Sequence, residues 1–170
     1  MDFWTQWGFT ADSWKGQRGE YWVLAQMLLL VIYGVVPSYQ PLDPAAIPLG
    51  LRYGIVGLAG LLAILAVLLL GRGLLDLGQN LTPLPYPRED GELVQTGVYG
   101  WVRHSLYSGL ILGTFALGLW RFSLSHLAVS LALFGVLNAK ANQEEIWLQD
   151  RYPEYQDYRQ RVKKLIPWVF

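Results

Sequence analysis

Tyr53 to Gly71 is a run of nineteen residues without a charged side chain. As a helix rising about 1.5 Å per residue it is about as long as a bilayer's hydrocarbon core is thick. A chain that carries such a run has few soluble folds open to it, and we read it as the clearest spanning helix. The rest of the sequence agrees, with 53% hydrophobic residues, 15% charged residues and a positive mean hydropathy. This is the composition of a multi-pass membrane protein.

The same numbers exclude several classes of function. A formal net charge of zero gives no long-range basic field, so nucleic acid is not an expected partner. Cysteine is absent, which removes disulfides, thiolate metal ligands and cysteine nucleophiles. Two histidines in the whole chain leave no histidine-rich metal site, so no metal is expected.

Other apolar runs flank the central one. Met1 to Gly19 places Trp4, Trp7, Ala11 and Trp14 on one face of a helix, and we expect an interfacial segment over residues 1–20. Tyr21 to Val36 reads as a short span. Pro37, Pro41, Pro44 and Pro48 mark a non-helical connection after it. Gly50, Gly54 and Gly57 share a face against which another helix could come close, and Gly109 with Gly113 form a second such pair. Residues 72–104 read as a loop through Pro83, Pro85 and Pro87. Leu106 to Trp120 and Leu127 to Leu137 then form a helical hairpin, joined by a turn over Arg121 to His126. Its second arm is expected to continue through Glu145 to about Gln149. The tail from Arg151 carries Tyr152, Tyr155, Tyr158, Arg159, Arg161, Lys163 and Lys164, and it is expected to return to the membrane surface.

The expected fold is therefore an all-α, multi-pass helical bundle of about four spanning helices, a single domain over 1–170. With four spans, eleven basic residues, among them Lys15, Arg72, Arg103, Lys140 and the tail cluster, fall on one side. Only Arg52 and Arg121 fall on the other. The positive-inside rule then places both termini in the cytoplasm, and either a bacterial inner membrane or the endoplasmic reticulum satisfies this reading.

Chemistry concentrates in two places on that side. Gly97 to Gly109 packs Tyr99, Arg103, His104, Ser105 and Tyr107 against the start of an apolar run, where unused polar groups are costly. About forty residues on, Lys140 and Glu144 stand one helical turn apart, with Glu145 on a neighbouring stripe beside Asn138, Asn142 and Gln149. Taken singly, each has a plain reading: an ordinary ion pair for Lys140 and Glu144, headgroup contacts for Arg103 and His104, an aromatic belt for the tyrosines.

Together, Gly97-Val-Tyr-Gly-Trp-Val-Arg-His-Ser-Leu-Tyr-Ser-Gly109, Lys140-Ala-Asn-Gln-Glu-Glu145, the Tyr152-Pro-Glu-Tyr-Gln-Asp-Tyr158 stretch and Ile166-Pro167 resemble the isoprenylcysteine carboxyl methyltransferase family. The resemblance covers about residues 93–167 and implies a cytosolic S-adenosylmethionine pocket in that half. It implies that Glu92, Leu93, Val94 and Tyr99 line the nucleoside end of the cofactor. His104, Ser105, Leu106 and Tyr107 would form the next wall, closed by Glu144 and Glu145. Lys140 would meet an acceptor carboxylate, and Arg103 joins Lys140 and Glu144 as a candidate catalytic residue. The implied partners are membrane lipids and a prenylated or otherwise lipid-like acceptor that enters from the bilayer.

Two departures from the family stretch matter. Serine stands at 105 in place of proline, and a serine there can cap the next helix by accepting a backbone N–H. Lysine at 140 replaces arginine and gives up bidentate carboxylate recognition. Phospholipid or other lipid N- or O-methylation fits the same motif. From other classes, a non-catalytic membrane scaffold remains open, as does a haem or redox protein using His104 and His126. Those two histidines would lie about 33 Å apart on a continuous helix.

Overall fold

The computed structural model describes residues 13–88, 90–167 and 169–170. The tryptophan face expected at Trp4, Trp7 and Ala11 lies outside them. Described residues form five α-helices: α1 (Glu20–Val35), α2 (Leu49–Leu77), α3 (Ser105–Trp120), α4 (Leu124–Arg151) and α5 (Tyr155–Arg161). Short 3-10 turns punctuate the connections, and there is no strand among the described residues beyond one isolated bridge between Val102 and Lys163.

Two helices, Leu49–Asn80 with its 3-10 extension and Leu124–Arg151, are long and apolar enough to cross a membrane, whereas α1 and α3 are apolar but shorter. Only Ala59, Ala66, Leu69 and Gly73 are buried along α2. Many of its other large apolar side chains, including Leu58, Leu61, Ile64 and Leu68, are exposed, which suits lipid rather than water.

Small residues decide how the helices meet. Ala59, Ala66 and Gly73 recur every seven positions on one stripe of α2. Opposite them Gly109 lies so close that an added Cβ would stand 2.5 Å from Leu70 Cγ and 3.1 Å from the Ala66 carbonyl oxygen. Apolar tails of lipid compete with apolar side chains, so this proximity, rather than hydrophobicity, holds α2 to α3. The glycine pair Gly109 and Gly113 packs as expected. Gly50, Gly54 and Gly57 do not: a Cβ on any of them would meet nothing within 4 Å among the described residues. A glycine stripe marks where a helix could approach, and here the partner helix α3 engages the other end of α2.

The hairpin α3–α4 forms as the apolar runs indicate, and α4 is one continuous helix past Glu145. Its connecting turn is shorter than expected, because Ser123 caps α4 by accepting from the His126 N–H and so leaves only residues 121–123 outside the helices. His126 is consequently buried within α4. One further expectation changes. The loop expected to begin at 72 begins after Leu77, since nothing in Arg72 to Leu77 breaks the helix. The tail packs onto the protein. Tyr155 and Tyr158 are buried with Val162, and Leu165 joins the core of Ile111, Leu133 and Leu137. Backbone N–H groups of Arg103 and His104 donate to the carbonyls of Lys163 and Lys164 at 2.8 and 3.1 Å.

Candidate active site

The sharp turn ahead of α3 is held by Asp76, whose Oδ2 accepts the Val98 N–H at 2.8 Å. Gly97 sits directly over that carboxylate at φ 61°, where a Cβ would come within 2.1 Å of Oδ2, so only glycine fits. Tyr99, next in the turn, donates its hydroxyl to the Gly73 carbonyl at 3.2 Å, and its own carbonyl accepts from Tyr158 at 2.6 Å. Burial raises both phenols above their ordinary pKa, and the Glu144 carboxylate pushes Tyr99 further, so both remain protonated donors at neutral pH. This turn delivers residues 103–107 to the face of α4 that carries Lys140, Glu144 and Glu145.

Two adjacent carboxylates there do different jobs. Glu145 is buried and takes the Arg103 guanidinium at 3.0 and 2.7 Å through Nε and Nη2. Arg103 Nη1 also donates to the carbonyls of Arg159 and Val162. His104 Nε2 lies 3.2 Å from Glu145 Oε1, and Arg159 Nε lies 3.5 Å from Oε2. Glu145 therefore ties the turn, α4 and the tail together. Lys164 continues the same seam, donating to Asn138 and Asn142 at 2.8 and 2.7 Å.

Glu144 faces the other way. Its Oε2 accepts the Tyr107 hydroxyl at 2.6 Å and stands 3.7 Å from His104 Nδ1, while its side chain is 24% exposed. The His104 and Tyr107 rings are parallel, 5.3 Å between centroids and 3° between planes. Glu144 Oε1 has no hydrogen-bond partner among the described residues and so has acceptor capacity to spare.

Lys140 is 2% exposed, and its ammonium donates to Gln26 Oε1 of α1 and to the Pro83 carbonyl, both at 2.9 Å. It also stands 4.9 Å from the Tyr107 ring centroid. The simple i,i+4 ion pair with Glu144 is not formed within 4.0 Å among the described residues. Lys140 is thus a buried cation whose hydrogen-bond acceptors among those residues are neutral, an arrangement that costs solvation energy unless an anion joins it.

The other residues singled out by sequence are distributed around this cluster. Glu92 is anchored by its N–H to Asn80 Oδ1 at 2.8 Å. Leu93 packs on the Tyr155 cluster, and Val94 packs on the Tyr99 cluster. Ser105 and Leu106 turn toward α2, where both crowd Gly73. Ser105 does not cap α3. His104 occupies the N-cap position without a side-chain bond, and Ser105 Oγ donates instead to the Leu69 carbonyl at 2.7 Å.

Sequence reasoning missed Gln26 and Tyr155. Gln26 is the one strongly polar residue in the apolar run Tyr21 to Val36, which was the available signal. Tyr155 is 1% exposed and its hydroxyl has no hydrogen-bond partner among the described residues, although Glu145, Arg103 and Glu144 are near enough to act on it electrostatically. No group of three or more histidine or acidic side chains among the described residues could hold a metal ion.

No family model matches the sequence, and no curated protein matches it. A solved structure does: the eukaryotic intramembrane Ras methyltransferase ICMT (isoprenylcysteine carboxyl methyltransferase), determined without a monobody. It superposes with a TM-score of 0.62 over 94% of this chain, at 23% sequence identity. The fold is ICMT-like. This chain spans 57% of the length of that enzyme, so the likeness establishes architecture, and activity must be argued from the residues.

Proposed function

We propose that this chain is an S-adenosylmethionine-dependent membrane methyltransferase acting on a lipid-like acceptor, most simply the carboxylate of an isoprenylcysteine. The observation that carries the reading is the meeting of His104, Tyr107, Lys140 and Glu144 at the end of α4. The Tyr107–Glu144 bond joins segments thirty-seven residues apart. The donor set fits the cofactor's chemistry. Glu144 offers an anion with a free acceptor oxygen, suited to a sulfonium or to ribose hydroxyls, and the orphaned Tyr155 hydroxyl offers a polar group that a ligand could satisfy.

In this reading Glu92 to Val94 and Tyr99 line the nucleoside end, while His104, Tyr107 and Glu144 enclose the methionine end. Ser105 and Leu106 contribute by seating α3 on α2. Bound S-adenosylmethionine would supply an electrophilic methyl group and a neutral thioether leaving group. Transfer is an in-line displacement, so the chain's tasks are alignment and exclusion of water rather than proton transfer. Lys140 would hold the acceptor carboxylate: its ammonium has a third N–H beyond those given to Gln26 and Pro83, both neutral acceptors. Gln26 and Pro83 aim that ammonium, and Arg103 and Glu145 position His104. Both termini are proposed to face the cytosol, where the cofactor is made.

The test is calorimetric titration of detergent-solubilised protein with S-adenosylmethionine. Glu144→Gln should weaken binding by about ten- to a hundredfold, the loss expected for one hydrogen bond to a charged group. Unchanged affinity removes Glu144 from the pocket. Turnover of radiolabelled cofactor with prenylcysteine analogues and with phospholipids then assigns the acceptor.

A further inference from the structure

A cavity of about 770 Å³ shares no lining residue with the cluster around His104 and Glu144. It is a groove between α2 and α3, with Leu62, Leu65 and Leu68 on one wall and Leu112 on the other. Arg72, Asp76 and Trp101 line its polar end. Two features say what such a groove would take.

The first is charge. Asp76 is committed to the turn below Gly97, as its bond to the Val98 N–H shows. Arg72 is exposed and makes no hydrogen bond or ion pair among the described residues. The groove thus ends in an uncommitted guanidinium, a group whose planar fork of donors suits phosphate. Trp101 beside it is 59% exposed, as an aromatic side chain at headgroup level would be.

The second is length. Arg52 and Arg72 bracket the uncharged part of α2, and twenty residues of helix rise about 30 Å, the thickness of the hydrocarbon core. Leu62 is midway between them. The groove therefore runs from headgroup level at Arg72 to about the bilayer midplane at Leu62, the depth of one leaflet.

We propose that this groove is an accessory site for a membrane phospholipid with an anionic headgroup. One acyl chain lies along Leu68, Leu65 and Leu62, and the phosphate sits on Arg72. The lipid is not the methyl acceptor, and the assignment holds whether or not the chain transfers methyl groups.

Native mass spectrometry of the full chain released from detergent tests it, with phosphatidylglycerol and phosphatidylcholine of identical acyl chains as probes. One phosphatidylglycerol should be retained per chain in preference to phosphatidylcholine. Arg72→Gln should erase that preference, roughly fivefold, the factor that about 1 kcal/mol per basic residue at a charged leaflet converts to. Leu65→Trp, which fills the groove from its lipid-exposed wall, should lower retention of both lipids. Equal retention of the two lipids by the parent chain overturns the proposal, as does undiminished phosphatidylglycerol in both variants. So does a second copy of the chain in place of lipid, or an isoprenylcysteine analogue displaced by Leu65→Trp while phospholipid stays.

Discussion

Neighbouring glutamates with the same chemistry have opposite fates here, and a one-residue step round α4 is the cause. Glu145 is fully enclosed and saturated by Arg103, His104 and Arg159. Breaking such a buried pair by removing one partner costs about 3–5 kcal/mol, because the other charge is left stranded. Arg103→Ala should therefore lower the thermal unfolding midpoint sharply in detergent. Glu144→Gln should leave the midpoint near that of the parent while cofactor binding falls. If Arg103→Ala keeps its midpoint and loses only turnover, Arg103 contacts a reactant and is not the strut proposed. Lys140→Arg should still fold but crowd Gln26 and Pro83, and it should raise the KM for a carboxylate acceptor more than it lowers kcat.

Between helices, the decisive property is how closely backbones approach. An added methyl at Gly109 meets Leu70 and the Ala66 carbonyl oxygen, so α2 and α3 must part. Gly109→Ala should destabilise by about 1–3 kcal/mol, the usual cost of overpacking. Gly57→Ala meets open space and should be neutral or slightly stabilising, since alanine loses less entropy in a helix. The unfolding midpoints of the two variants separate these outcomes, and equal losses would mean that α2 packs along its whole length. The Tyr155, Tyr158, Val162 and Leu165 spacing of three, four and three residues is that of one helical face. It was the available sign that the tail would pack on the protein.

At the level of the whole chain, the cluster of His104, Tyr107, Lys140 and Glu144 lies at one end of the bundle, and the polar knot of Arg121, Ser123, Ser125 and His126 lies at the other. There Ser125 Oγ donates to the Pro37 carbonyl at 2.6 Å and Arg121 Nη1 approaches His126 Nε2 at 2.9 Å. His104 and His126 thus belong to separate networks at opposite ends of α3, which gives no support to joint haem ligation. In the topology proposed from the distribution of basic residues, the His104 end faces the cytosol. Because the chain has no cysteine, single-cysteine variants test this cleanly. Lys163→Cys should react with an impermeant maleimide only when the cytosolic face is accessible, and Arg52→Cys only from the opposite face. Labelling of both from one side would invert or discard the topology.

Helix identity and the α3–α4 hairpin were legible in the chain because each depends on local pattern: apolar run length and turn residues. Which way each side chain spends its polar capacity was not. Ser105 donates to Leu69 rather than capping α3, Lys140 turns to Gln26 and Pro83 rather than to Glu144, and α2 uses Ala59, Ala66 and Gly73 rather than its earlier glycines. Those choices are made between segments far apart in sequence. A buried donor takes whichever acceptor the tertiary arrangement places within reach, and no spacing along one helix records that.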